Sequence, residues 1–306
     1  MSGFVDRITR VPSLPDLAED AHKGDAGRLL CVCGSATMPG AAILTVRAAC
    51  RAGAGLVSLG CLSANLLELV PVAAPEAILV DLTEWRSFFA EGRHASLAER
   101  RDHARVLGPG LGRGELTRTL VELFTDDGFE GPTVFDADAL NELAAQPELV
   151  SRSRGPAILT PHPGEASRLL GREVPSDDEG RLAAARELAQ RTHAITVLKG
   201  RRTVVVAPEG ELVFVNQTGN AGMATGGSGD VLSGILGAYL TACRPGRVAC
   251  ANGASWTPFD ATVAAVHVHG LAGDLAADEL GRRALIASDL IEFLPAAQQA
   301  LGEDAR

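Results

Sequence analysis

The 306-residue sequence predicts a doubly wound α/β layer structure, in which a mostly parallel central sheet carries helices on both faces, as one domain over residues 1–306. Short, almost purely apolar runs alternate with segments of helical length. A strand that is apolar at every position is buried on both faces, the condition of a parallel sheet covered by helices. The hydrophobic content of 46% with only 4% aromatics describes an aliphatic core and excludes a disordered chain. No internal repeat, low-complexity tract or long Pro/Ser linker divides the sequence, and α/β domains reach this length as single units.

In chain order, RLLCVC (28–33) is the first strand and is followed by a helical stretch near 40–52. LVSL (56–59), a helix near 64–70 and AILV (77–80) continue the rhythm, then ARVL (104–107), TVF (133–135), AIL (157–159) and AITVL (194–198). The pairs 204–206 and 212–215 flank Pro208-Glu209-Gly210, a turn sequence, and form a β-hairpin added to the parallel sheet. Apolar helices follow near 229–240, 259–277 and 288–301. The first twenty-odd residues and 81–101 are polar and irregular, and no element is legible in them.

The net charge of −10, with no basic run longer than a pair such as Arg201-Arg202, argues against a nucleic-acid surface. The six cysteines are scattered; Cys31 and Cys33 share one face of a strand and read as buried reduced thiols, because a metal site needs more Cys or His ligands at suitable spacing. With no signal-peptide core and no apolar run of transmembrane length, no membrane partner and a cytoplasmic location are expected.

Ligands of a doubly wound sheet sit beyond the carboxyl ends of its strands. Those ends carry glycines and ionisable groups: Gly34-Ser35 with Pro39 to Ala42, Gly108 to Gly112, Asp136-Ala137-Asp138, Thr160 to Glu165, and Lys199-Gly200. The densest glycines lie in NQTGNAGMATGGSGDVLSG (216–234), where Gly226-Gly227-Ser228-Gly229-Asp230 runs into an apolar helix. Glycines let the backbone approach a ligand closely, and the free N–H groups of a helix start with its dipole bind an anion, expected to be phosphate. Asp230 fits two roles there, an acid favoured by the helix dipole or a base taking the proton of an attacking hydroxyl. The pattern is neither GxxxxGK[ST] nor GxGxxG after an N-terminal strand, so neither a P-loop nor a Rossmann site is predicted. His162 and Glu165 suit either a solvated helix start or a substrate and Mg²⁺ contact. Lys199 suits a phosphate or a carboxylate partner. His267 and His269, two apart in an Ala-rich helix, do not share a face and read as packing or interface residues.

Seven stretches occur in the order found in ADP-dependent NAD(P)H-hydrate dehydratases: GAAILTVRAACRAGAGLV (40–57), VLGPGLG (106–112), VFDADALN (134–141), LTPHPGEASRLL (159–170), VLKGRRTVV (197–205), NQTGNAGMATGGSGDVLSGIL (216–236) and AVHVHGLAGDLAA (265–277). The chain resembles that family over residues 25–300. The resemblance implies a three-layer ribokinase-like fold and a repair reaction, in which (S)-NADHX or (S)-NADPHX is restored to NADH or NADPH. ADP, with ATP as the alternative donor, would be consumed with Mg²⁺ as cofactor; phosphorylation of the substrate hydroxyl makes it a good leaving group, and elimination of phosphate follows. By matching motif, Asp230 resembles the catalytic base, and the backbone of Gly227, Ser228 and Gly229 the anion hole. Ala41 or Ala42, Gly110 and His162 fall at the hydrated dinucleotide, and Lys199, Gly200, Arg201, Arg202, Thr203 and Gly229 at the nucleotide. Glu165 is implied as the metal residue, with Asn141 assisting metal or substrate. A homo-oligomer, a tetramer in particular, is implied as well.

Ser228 stands where the family's G-T-G-D motif commonly has Thr, which keeps the hydroxyl. About 25 residues precede the first motif, too few for the epimerase domain some members carry, so action on the S epimer alone is expected. Two rivals share the loop: a small-molecule kinase of the same superfamily, of the hydroxyethylthiazole or hydroxymethylpyrimidine phosphate kinase type, and a nucleotide-binding regulatory protein without catalysis.

Overall fold

The computed structural model describes residues 6–91, 97, 100–244 and 256–304. Among them ten strands form one sheet: β1 (Asp6–Ile8), β2 (Arg28–Val32), β3 (Leu56–Cys61), β4 (Ile78–Asp81), β5 (Ala104–Leu107), β6 (Thr133–Phe135), β7 (Ala157–Leu159), β8 (Ile195–Leu198), β9 (Val204–Val206) and β10 (Leu212–Val215). Their spatial order is β1-β10-β9-β8-β7-β6-β5-β2-β3-β4. Neighbours from β8 to β4 run parallel, while β9 is antiparallel to both β8 and β10. The central strands are mostly apolar because both faces are covered, and β5 and β8 are buried at every position, Arg105 and Thr196 included.

One face carries α1 (Pro39–Arg51), α2 (Ala64–Ala73), α8 (Ser228–Leu240), α9 (Pro258–Leu280) and α10 (Ala287–Asp304), whose Val46, Leu66, Ile235, Val268 and Leu294 join one core. On the other, α4 (Glu115–Asp126), α5 (Asp138–Leu143), α6 (Pro163–Leu170) and α7 (Asp178–Thr192) contribute Leu120, Leu140, Leu169 and Leu188 to a second core. Between β4 and β5 runs a short α3 (Trp85–Ala90). Sheet and helices thus make three α/β/α layers. The helix α8 is buried along nearly its whole length, which explains why it has no polar face.

Two regions without a legible element do hold structure. α3 lies in the first half of 81–101, and β1 pairs parallel with β10 through Asp6↔Leu212 and Ile8↔Phe214. β1 escapes a sequence reading because an exposed edge strand of three residues needs no apolar run. The five described cysteines are free; Cys31 and Cys33 lie in the same core, and burial pushes the Cys61 and Cys243 thiols up to about 12, which disfavours their thiolates. Among the described residues no helix is long and apolar enough to cross a membrane.

Strand order reverses between β2 and β5, whose neighbours then run outward in opposite directions. Their following loops diverge there and open a crevice at the carboxyl edge. Gly34, after β2, still donates its N–H to the Pro109 carbonyl after β5 at 2.7 Å, which fixes the floor of that crevice.

Candidate active site

The carboxyl edge of β6, β7 and β8 brings an ion pair into the interior. Asp136 directly follows β6 and is 1% exposed; Lys199 directly follows β8 and donates to Asp136 Oδ1 at 2.7 Å. Ser233, one turn into α8, donates to Asp136 Oδ2 at 2.7 Å. Burial raises the Asp136 pKa, but the Lys199 ammonium and the hydrogen bonds from Lys199, Ser233 and Thr160 outweigh it and hold the carboxyl below its ordinary value. Burial likewise opposes the charge on Lys199, yet Asp136, Glu165 and Asp230 keep the ammonium above its ordinary value. Ala137 then turns the chain with φ 50°. That left-handed residue sends the two neighbouring carboxylates apart, since Asp138 accepts from the Gly112 N–H at 2.8 Å in the loop after β5.

At the start of α8, Gly227 has φ 91°. A Cβ there would also lie 2.5 Å from Leu44 Cδ1, a side-chain end that can shift, so it is the backbone that demands glycine. α6 and α9 each close their first turn with a capping box, whereas α8 has no side-chain cap. An uncapped helix start is a dipole end with donors available to an anion. Lys199 stands beside it: its Nζ is 3.5 Å from the position of a Cβ on Gly229. Asp230 lies in the first turn, and its main-chain carbonyl accepts from Thr45 Oγ1 of α1 at 3.2 Å. Burial, followed by the nearby Asp136 charge, pushes the Asp230 carboxyl up to about 6 against the opposing pull of Lys199. A carboxylate desolvated in this way is a better proton acceptor than one in water.

His162 and Glu165 form the capping box of α6. His162 Nδ1 accepts from the N–H groups of Gly164 at 3.0 Å and Glu165 at 3.3 Å, and Glu165 Oε2 accepts from the His162 N–H at 2.8 Å. With Nδ1 an acceptor, the ring proton sits on Nε2, which is 3.3 Å from Glu165 Oε1. Burial and the charges of Lys199 and Arg168 lower the His162 pKa, so the ring is neutral. Burial pushes Glu165 up to about 7, although Lys199, 3.9 Å away, pulls the other way. Glu165 therefore serves both readings: it caps a helix and faces the buried ammonium. Among the described residues no three His, Cys, Asp or Glu side chains are arranged to hold a metal.

At the crevice, Gly110 adopts φ 63° and faces Ala41, whose Cβ is 2.6 Å from the position of a Gly110 Cβ. Ala42 points the other way, fully buried against Gly34. Asn141 is engaged in the framework, donating to Asp138 Oδ1 at 3.4 Å and accepting from Arg168 Nε at 3.0 Å. Lys199 parts company with the residues after it. Gly200 and Arg202 have φ 140° and 56° and make a tight turn into β9, closed by Thr203 Oγ1 donating to the Gly200 carbonyl at 3.0 Å. Arg181 donates to the Arg201 carbonyl at 2.6 Å, and Arg202 pairs with Asp178 at 2.6 Å. Beyond this turn lies a cavity of about 450 Å³ lined by Arg202, Val204, Val215, Gln217, Leu182 and His267, with β1 residues Arg7 and Ile8 forming its outer wall.

Sequence reasoning left the roles of three participants unread. Asp136 stood among the strand-end groups after TVF but without its role, which is to pair with Lys199, and Ser233, which donates to Asp136, was not singled out. His269, read as a packing or interface residue with His267, instead reaches the anion loop: its Nε2 lies 2.9 Å from the Ser228 carbonyl and 3.3 Å from Ser228 Oγ. His267 faces the cavity, so the two do point different ways.

A three-layer sheet that ends in a glycine turn, a helix N-terminus and an aspartate is a ribokinase-like fold; a ribokinase-like superfamily protein of Enterococcus faecalis superposes with a TM-score of 0.74 at 23% identity. Residues 29–296 match the NAD(P)H-hydrate dehydratase family, and the chain belongs to that family. It is 39% identical to the ADP-dependent (S)-NAD(P)H-hydrate dehydratase of Neisseria meningitidis, over 92% of this chain and 87% of that one. It is 41% identical to the bifunctional NAD(P)H-hydrate repair enzyme Nnr of Moorella thermoacetica, over 95% of this chain but 53% of the relative; the chain spans about half the length of the bifunctional relatives it matches. The ADP/ATP-dependent NAD(P)H-hydrate dehydratase of Bacillus subtilis, crystallised with ATP and Mg²⁺, superposes with a TM-score of 0.76 at 31% identity, over 94% of this chain and 95% of that one.

Proposed function

We propose that the chain dehydrates (S)-NADHX and (S)-NADPHX to NADH and NADPH, with ADP converted to AMP and phosphate. The observation that carries this reading is the convergence of Asp230, the uncapped start of α8 and the Lys199 ammonium at one point of the carboxyl edge. In the proposed reaction Asp230 takes the proton of the substrate hydroxyl as its oxygen attacks the outer phosphorus of ADP, and AMP leaves. The α8 N-terminus and Lys199 face the negative charge of the transferring group. The C–O bond of the phosphorylated carbon then breaks; phosphate departs with the bonding pair, and loss of a proton from the adjacent ring carbon restores the dihydropyridine. Over both steps the substrate loses the elements of water and ADP is hydrolysed.

The crevice between the β2 and β5 loops, with Ala41, Gly110 and His162, suits the hydrated dinucleotide. The turn of Gly200 to Thr203 and the cavity beside it suit the nucleotide, while Lys199 belongs to the phosphoryl end of the same site. Mg²⁺ commonly keeps several waters and binds through one or two carboxylates plus substrate phosphates. A single buried carboxylate, Glu165, fits that mode and not an all-protein cage; the bound ion would neutralise phosphate charge. The name of the Bacillus subtilis relative supports ATP as a second donor.

The test is to incubate the protein with ADP, Mg²⁺ and (S)-NADHX and to follow the NADH absorbance band. Recovery of NADH with one AMP per turnover is expected. A stable phosphorylated product would instead assign a kinase, and binding of ADP without turnover a regulatory protein.

A further inference from the structure

We propose that His269 is a positioning residue for the anion loop: by donating its Nε2–H to the Ser228 carbonyl, it fixes where the Gly229 N–H points. The inference rests on the proposed function, in which this loop receives the transferring phosphoryl group.

The carbonyl of Ser228 and the N–H of Gly229 belong to one peptide unit. That unit is planar and trans, so a partner held on its oxygen sets the direction of its hydrogen on the opposite side. The dihedrals flanking that unit belong to Ser228 and Gly229; Gly229 leaves its own φ soft, and no side chain caps this helix start. Ser228 is the first residue of α8, so its carbonyl also accepts from the helix's own ladder, and a donor from outside α8 adds a second hold on the plane. His269 Nε2 is 2.9 Å from the Ser228 oxygen. A carbonyl only accepts, so the ring proton lies on Nε2, and the 3.3 Å contact with Ser228 Oγ is the longer arm of the same donor. Burial lowers the ring's pKa to about 4, which leaves it neutral with one N–H to give. A donor on the oxygen also polarises the peptide and makes the Gly229 N–H a stronger donor to an anion.

The ring itself sits on a fixed support. α9 starts with a capping box at Thr257 and is tied to the chain ahead of the loop at several points: Thr218 Oγ1 donates to the His267 carbonyl at 2.9 Å, Asn216 Nδ2 to the Val266 carbonyl at 3.4 Å, and Asp274 accepts from the Gly219 N–H at 2.7 Å. The segment leading into the loop and the clamp upon it are thus registered on one helix. On this geometry the main-chain contact, and not the serine hydroxyl, carries the effect, so serine or threonine at position 228 serves equally.

The experiment compares His269→Gln, whose amide N–H replaces the Nε2 donor, with His269→Leu and His269→Asn, which do not reach the carbonyl. Loss of one donor to a developing anion costs 10²–10³-fold in rate, and misdirecting one costs a part of that. We expect kcat to fall about 30-fold in the Leu and Asn variants with the KM for ADP within about 3-fold, and the Gln variant to recover to within about 5-fold of the wild type. Should the Leu variant fail to fold, the Gln and Asn pair decides. Nitrogen NMR of the ring in the ligand-free wild type should show the Nε2-protonated neutral form. Equal rates in the Gln and Asn variants, or an Nδ1-protonated ring, would overturn the inference. A wild type that turns over no hydrate would overturn the functional reading instead.

Discussion

The two halves of residues 216–230 are both rich in glycine and do opposite things with it. In the first half the glycines let the chain press against α9 and the turn at its C-terminal end. A Cβ on Gly222 would lie 2.4 Å from the Arg282 carbonyl, and one on Gly273 of α9 would lie 2.3 Å from Met223 Sδ. The N–H groups of this half are spoken for by side chains: Gly219 donates to Asp274 and Gly222 to Asn220. In the second half a Cβ on Gly226 would meet nothing within 4 Å, and the helix start at Gly227 has no side-chain cap. Glycine density alone therefore does not mark an anion site. The distinction lies in whether side chains of the protein have already claimed the donors.

The sharpest way to break this contrast is at Asp230. Asp230→Asn should lower kcat about 10³-fold, the scale of general-base removal, while calorimetry still detects ADP binding. Undiminished turnover would place the base elsewhere. Lys199→Met comes next: kcat should fall about 10²-fold, and stripping the buried Asp136 of its partner should cost about 3 kcal/mol in denaturant unfolding. Unchanged stability would mean that Ser233 and Thr160 alone suffice for that carboxylate. Gly222→Ala probes the packing half and should cost about 2 kcal/mol through the clash with the Arg282 carbonyl, yet leave the kcat of the folded protein within about 2-fold. A large loss of kcat there would erase the division between the halves.

The smallest effect is the most specific to the second half. Because the Asp230 pKa is raised to about 6, kcat should climb as pH rises through about 6 and level off above 7. The sign for stability is opposite: a carboxyl whose folded pKa exceeds its unfolded value favours folding at low pH and loses that contribution as pH rises from about 4 through about 6. Asp230→Asn should then raise Tm by about 2 °C at pH 8 and by nothing at pH 4. A Tm gain at pH 4 instead would point to a packing change.

Most of the sheet was legible because β2, β3 and β5 to β8 are buried on both faces and so betray themselves by mostly apolar residues. The hairpin of β9 and β10 was legible from its turn residues. β1 was not, since its pairing depends on a partner more than two hundred positions away. The site divides in the same manner. Gly227, Gly229 and Asp230 are visible because their spacing is local. Asp136 acquires its importance from Lys199, 63 positions on, and His269 from Ser228, 41 positions back. The rule that residues two apart leave a helix on different faces correctly separated His267 from His269, but it is silent on what each face meets.

β1 borders the cavity beside the Gly200 to Thr203 turn. It is a three-residue strand at the edge of the sheet, largely exposed, and it forms the outer wall of the cavity beside Arg202. Edge strands this short fray at little cost, with no rotation of layers or hinge between lobes. If a nucleotide occupies that cavity, occupancy should be recorded as slower hydrogen exchange at Arg7 and Ile8 while the amides of β5 and β8 stay as they were.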